Sequence, residues 1–316
     1  MQPMRSVEWK KKGLIFEANR NHDWMVSHAQ VPLADRVDDS TLRIYFGTRD
    51  EQNRTVTTFI EVEAEDPARI TYIHDRPVLG LGELGCFDDC GAMPSWIVDR
   101  GEEKYLYYTG WNTSTTVPYR NSIGLAISRD GGLSFKRAYD GPILDRTYKE
   151  PHFCAVPCVL VEGEKWRMWY LSGVRWDVFD GRPEPRYHIK YAESSDGINW
   201  ERHGTVCVDF NSKAEAGIVR PSVIRDESLY RMWYSYRGLE NYRTDKRTSY
   251  RIGYAESRNG IDWIRKDEAG GLDVSDTGWD SEMVAYPFVL DWGAGKYMFY
   301  NGNGFGRSGL GYAVVE

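Results

Sequence analysis

Apolar and polar positions along the chain recur with a long period, and a period of this length is the mark of a fold built by repetition. Five times an apolar segment surrounds a proline: Gln30-Val31-Pro32-Leu33, Ala92-Met93-Pro94-Ser95, Ala155-Val156-Pro157-Cys158, Val219-Arg220-Pro221-Ser222 and Ala285-Tyr286-Pro287-Phe288. The steps between these prolines are 62, 63, 64 and 66 residues. After a short polar turn comes an aromatic strand: Ile44-Tyr45-Phe46, Leu106-Tyr107-Tyr108, Met168-Trp169-Tyr170, Met232-Trp233-Tyr234 and Met298-Phe299-Tyr300. The first aromatic lies 12 or 13 residues beyond its proline in every unit, so the two strands form a hairpin held in register.

A third strand follows in four units: Ile123-Gly124-Leu125-Ala126, Ile189-Lys190-Tyr191-Ala192, Ile252-Gly253-Tyr254-Ala255 and Leu310-Gly311-Tyr312-Ala313. A turn and an aromatic then open a fourth, as in Asp196-Gly197-Ile198-Asn199-Trp200 and Asn259-Gly260-Ile261-Asp262-Trp263. Asp-Gly and Asn-Gly supply the positive φ angles of tight hairpin turns. The outer strands of the first unit, 57–64 and 69–73, lack that turn. The fifth unit runs out at Glu316 after its third strand, and Val7-Glu8-Trp9-Lys10-Lys11 matches Ile198-Asn199-Trp200-Glu201-Arg202 in pattern. No amphipathic helical stretch separates the units. These patterns predict an all-β, five-bladed β-propeller with four-stranded antiparallel blades, its ring closed by the N-terminal strand joining the last blade. The expected domain is single, 1–316, with blades at about 24–80, 88–145, 150–208, 215–274, and 280–316 plus 6–18.

Charge narrows the partners. The formal net charge of −7 leaves no cationic footprint for nucleic acid, and no argument for an anionic membrane surface. The first twelve residues hold no apolar run of the signal-peptide kind, and no apolar stretch is long enough to span a bilayer. The expected location is the reducing cytoplasm. Cys86 and Cys90, like Cys154 and Cys158, are four residues apart. Both pairs fall just before or inside a strand, where alternate residues face opposite sides, so they read as buried free thiols rather than zinc ligands. No metal ligand set stands out and no cofactor is expected.

In a ring of blades, the loops leading into the first strands meet at one rim, so a site shared between blades should draw on residues just before the five prolines. Those segments hold Asp23, Trp24 and His28; Asp88 and Asp89; Glu150 and His152; Glu215 and Arg220; and Trp279, Asp280 and Glu282. Every blade offers a carboxylate. Crowded carboxylates repel, which can hold one of them protonated, and two carboxyls flanking a sugar are what glycosidic cleavage needs. Trp24, Trp111, Trp176 and Trp279 are candidates to stack on sugar rings. The same carboxylates serve equally to cap turns or pair with a nearby arginine, and Arg220 serves either to clamp an anion or to neutralise the rim. The basic stretch Arg237, Arg243, Lys246, Arg247 reads as a solvated loop. The run Gly302, Gly304, Gly306 follows a strand with no helix behind it, which excludes a dinucleotide fingerprint.

With its proline-bearing inner strands and turns such as Ser194-Ser195-Asp196-Gly197-Ile198-Asn199-Trp200, the whole chain resembles the five-bladed glycoside hydrolase superfamily of families 43, 32, 68, 117 and 130. The resemblance implies an enzyme acting on a short oligosaccharide or glycoside, with a catalytic carboxylate on each of the first three blades. Glu150 would be the general acid, Asp89 or Asp88 would position it, and Asp23, or Glu282 from the last blade, would be the base. The usual blade-one Asp-Pro entry is absent here; Asp23 lies nine residues before Pro32. Two alternatives follow. One is a phosphate-dependent phosphorylase or transferase, with inorganic phosphate held by Arg220, His152 and Lys149. The other is a carbohydrate-binding propeller without catalysis.

Overall fold

The computed structural model describes residues 7–226, 229–293 and 295–315. The expectations that touch Met1–Ser6 and Glu316 lie outside the described residues. The chain is nearly all β. It opens with β1 (Lys10–Phe16) and β2 (Asn19–His22), the latter folding back on the start of β3 (Met25–Arg36). β3 leads a meander with β4 (Thr41–Arg49), β5 (Thr55–Glu63) and β6 (Ile70–Ile73). The next group is β7 (Gly91–Asp99), β8 (Lys104–Thr113), β9 (Tyr119–Ser128) and β10 (Lys136–Arg137). β11 (Cys154–Glu162), β12 (Lys165–Phe179), β13 (Arg182–Ser194) and β14 (Val206–Val208) make the third. The fourth is β15 (Glu215–Asp226), β16 (Leu229–Gly238), β17 (Arg251–Ser257) and β18 (Ile264–Arg265), followed by a short turn of helix, α1 (Asp267–Gly270). Last come β19 (Ala285–Trp292), β20 (Gly295–Asn301), α2 (Asn303–Gly306) and β21 (Leu310–Val315). β1 pairs antiparallel with β21, Lys10 opposite Val314, and so supplies the fourth strand of this final group.

The first strands β3, β7, β11, β15 and β19 each touch the next in chain order, and β19 touches β3. At the prolines the pairing of first and second strand is interrupted by a bulge in every group. A proline suits a bulge because it has no N–H to leave unpaired. In four groups the preceding residue takes a positive φ: Val31 at 56°, Val156 at 39°, Arg220 at 59° and Tyr286 at 56°. A left-handed β-branched or bulky residue is strained, and its neighbours must hold it there. In three of the four they do so through its N–H. Val31 donates to Asn301 Oδ1 at 2.7 Å, Val156 to Thr109 Oγ1 at 2.8 Å and Tyr286 to Ser235 Oγ at 2.7 Å. In each case the acceptor lies on the second strand of the preceding group, so the strained inner strands also bond one group to the next.

The paired aromatics do two different jobs because neighbouring strand residues point to opposite faces. The first reaches forward to the next group: Tyr45 O–H donates to the Gly132 carbonyl, Tyr107 O–H to Gly197 and Trp169 Nε1–H to Gly260, all at 2.8 Å. The acceptors are the glycines of the Asp-Gly and Asn-Gly turns. The second aromatic turns back into its own group, and what it meets there decides how the candidate carboxylates are used.

Candidate functional site

Asp88, Glu150 and Asp280 precede the first strands of three groups, and each is buried. Each accepts a hydrogen bond from the second aromatic of its own group and pairs with a cation from the outer strands. Asp88 Oδ2 takes Tyr108 O–H at 2.9 Å and Arg137 Nε at 2.7 Å. Glu150 takes Tyr170 O–H at 3.0 Å, Arg202 at 3.2 Å, Lys190 at 3.3 Å and Ser172 O–H at 3.4 Å. Asp280 Oδ2 takes Tyr300 O–H at 2.9 Å and Lys11 Nζ at 2.8 Å, the lysine coming from β1. The fourth group splits the arrangement. Arg265 grips Glu215 through two nitrogens at 2.7 and 2.9 Å, while Tyr234 O–H donates to Asp267, which Arg265 also contacts at 2.7 Å.

The cations occupy one repeated position, two residues after the aromatic that opens the fourth strand: Phe135 and Arg137, Trp200 and Arg202, Trp263 and Arg265, Trp9 and Lys11. Burial first, and the carboxylate second, push the Tyr108, Tyr170 and Tyr300 phenols up, which keeps them as neutral donors. In the first group the second aromatic is Phe46, which has no hydroxyl to offer, and it packs against Phe16 instead.

The recurrence of carboxylates before the prolines thus coincides with a clasp repeated from blade to blade. Glu150 has both oxygens committed to protein donors. Asp88 is fully buried, although its Oδ1 has no partner. Asp89 is half-buried and accepts from the Gly85 N–H at 3.0 Å. Asp23 and Glu282 are exposed. Glu215 is taken up by Arg265. Arg220 does not reach a rim: it is fully buried, with NH1 on the Ser95 carbonyl at 2.7 Å and NH2 on the Pro32 carbonyl at 3.0 Å. Its guanidinium lies near the Trp96 and Phe288 rings, and burial pulls its pKa down to about 10. The expected choice between clamping an anion and neutralising the rim is corrected: Arg220 ties the first, second and fourth first-strands together across the axis. Trp24 stacks on His22, and Trp279 on Tyr300. His152 is half-buried beside Gly173.

Space for a ligand lies elsewhere on the axis. A cavity of about 450 Å³ opens among the ends of the strands. Aromatic side chains form much of its wall, among them Trp111, Tyr119, Tyr187, Tyr242, Tyr250 and Phe305. Gln30, Asn53, Asn121, Arg49 and Arg243 contribute the polar part, and among the described residues no carboxylate lines it. Trp176 packs behind Tyr119, with ring centres 5.4 Å apart. Burial pushes the phenols of Tyr119, Tyr242, Tyr250 and Tyr286 up, so these hydroxyls are donors near neutrality.

Arg237 stands behind this wall. Fully buried, it donates to Tyr187 Oη at 3.0 Å and to the Pro185 and Gly238 carbonyls at 2.8 Å, and its guanidinium lies 3.7 Å from the Tyr242 ring centre. Arg243 and Tyr242 share Glu184. The basic stretch read as a solvated loop therefore divides: Arg237 is core, Arg243 is wall, and Lys246 and Arg247 are exposed. The glycine run forms α2, where Gly304 and Phe305 take φ near 60° and Phe305 turns into the cavity. His28 is buried beside Arg49 and Arg307, and burial first, then these cations, push it down to about 3. Of the site candidates named from sequence, Trp111 lines the cavity; Arg243, read there as part of a solvated loop, lines it too, and the rest of the wall comes from strand ends and turns.

No protein-family model matches the chain. Among solved structures it is similar to a glycoside hydrolase (TM-score 0.72, 15% identity, 98% of this chain and 92% of that one). It is also similar to a structure from the GH130 family of mannoside phosphorylases (0.70, 14%, 99% and 95%) and to a thermostable family-43 glycoside hydrolase (0.65, 16%, 94% and 90%). At these identities the likeness is one of fold. In sequence it is 38% identical over 310 residues to the uncharacterized proteins MT1551 and Rv1502, from two strains of Mycobacterium tuberculosis. The match covers 98% of this chain and all of each relative, so the chain belongs to the Rv1502 family and carries the fold of the propeller glycoside hydrolases.

Proposed function

We propose that the chain is a glycoside-active propeller that takes a short oligosaccharide or glycoside into the axial cavity. In this reading residues 1–316 form one five-bladed domain, with β1 closing the ring. The observation that carries it is the wall of that cavity, where aromatic faces alternate with amide and hydroxyl donors at the convergence of the first strands. Sugar rings present apolar C–H faces and polar edges, and a pocket with a few placed polar groups among aromatics suits them. Hydrolysis through Glu150, positioned by Asp88 or Asp89, with Asp23 or Glu282 as base, is the mechanism that the resemblance implies. The clasps weigh against Glu150 and Asp88, and leave Asp89, Asp23 and Glu282 as the carboxylates free to act.

Phosphate-dependent transfer is the second reading, favoured by a cationic wall. Phosphate brings its own nucleophilic oxygen and calls for cations, whereas water calls for a base. The test is a panel of aryl glycosides and disaccharides, with and without inorganic phosphate, followed by both turnover and calorimetric binding. Trp111→Ala should weaken binding about tenfold through lost ring contact. Turnover only with phosphate selects transfer; binding without turnover in either condition selects a carbohydrate-binding propeller. If no glycoside binds, the reading fails.

A further inference from the structure

The cavity wall is cationic in a chain whose net charge is −7. Arg49, at the end of β4, is half-buried and spends one nitrogen on Gln30 Oε1 at 2.9 Å. Among the described residues no carboxylate pairs with it. Burial lowers its pKa, the Tyr286 phenol works against that, and the charge of Arg243 lowers it again. Arg237 stands behind the tyrosines. Glu184 is shared between Tyr242 and Arg243, and Asp50, next to Arg49 in the chain, pairs with Arg54. Converging guanidiniums repel one another, and a partly desolvated fork with its remaining N–H groups unmatched fits a planar or tetrahedral oxyanion. Elsewhere in the molecule, arginines without a carboxylate, such as Arg220 and Arg237, are satisfied by backbone carbonyls. Arg49 opens onto the aromatic cavity instead.

We infer that the sugar taken by this cavity carries an anionic group, a carboxylate or a phosphate, which docks on Arg49 with Arg243 beside it. The inference rests on the proposed glycoside reading and specifies its substrate class. Arginine forks and aromatic rings share one cavity of about 450 Å³, which places the anion and the sugar ring in the same ligand. Gln30 holds the Arg49 fork through Nε and leaves its two terminal nitrogens to turn toward the cavity, as a bidentate contact needs.

Matched probes separate this from the parent reading: galactose against galacturonic acid, glucose against glucose 6-phosphate, and inorganic phosphate alone. Binding is followed by calorimetry at low and moderate salt, for the parent, Arg49→Gln and Arg49→Lys. The expected result is that at least one anionic probe binds roughly tenfold or more tightly than its neutral partner. That preference should shrink with salt, collapse in Arg49→Gln and return in part in Arg49→Lys, with all three proteins melting as single transitions. Equal binding of neutral and anionic partners overturns the inference while leaving the glycoside reading standing. Binding of phosphate alone at the strength of the sugar phosphate also overturns it, since the sugar would then add nothing. If no probe binds, both fall.

Discussion

In the clasps, Asp88, Glu150 and Asp280 each meet a tyrosine and a cation from their own blade, and the charge is used up where it is made. In the cavity wall the reverse holds: among the described residues Arg49 has no carboxylate partner, and Arg243 shares Glu184 with Tyr242. Both regions use arginine and tyrosine, and both lie near the blade entries. The difference is repetition. A group that recurs in blade after blade with the same partners serves what all blades share, which is stability. A group that occurs once serves what the molecule does once.

The largest effect that would break this contrast is at Glu150. Glu150→Gln removes the charge facing Lys190 and Arg202, and losing one partner of a buried ion pair costs about 3–5 kcal/mol. Denaturant unfolding should show it. Unchanged stability with lost turnover would return Glu150 to the role of general acid. Next in size, Tyr108→Phe removes one hydrogen bond to a charged acceptor and should cost about 1.5–3 kcal/mol. The mirror change sharpens the comparison: Phe46→Tyr introduces a hydroxyl where blade one has no clasp, so it should destabilise by about 1–3 kcal/mol rather than help.

The smallest effect near neutrality concerns His28. Its folded pKa of about 3 lies below the ordinary 6.5. The unfolded chain therefore takes up the proton first, and stability falls as pH drops from about 6.5 toward 3. His28→Gln should flatten that part of the stability–pH curve, and an unchanged slope would show that His28 titrates normally.

Much of the architecture could be read in advance. The five prolines mark bulges, and spacing alone places them. The match of Trp9 with Trp200 anticipates that β1 pairs with β21, as it does at Lys10 and Val314. The roles within the aromatic pairs could not be read, because alternation says that Tyr107 and Tyr108 face opposite ways without saying what lies on either side. The same holds for the carboxylates: their recurrence was visible, yet the Arg or Lys two residues after each fourth-strand aromatic was the signal that they were spoken for. Arg49 and Tyr242 escaped because they sit at the end of a second strand and in one blade's loop, where no repeat points to them, and Arg243 was read with its basic neighbours as a solvated loop. Arg237 escaped because a cluster of basic residues looks solvated until Tyr187 and Tyr242 enclose it.

Arg220 carries one more consequence. Its guanidinium is tied to the Ser95 and Pro32 carbonyls, so first strands of three groups far apart in the chain share a single cross-link. Loosening that one side chain loosens three groups at once, so damage at Arg220 should spread through the molecule rather than stay local.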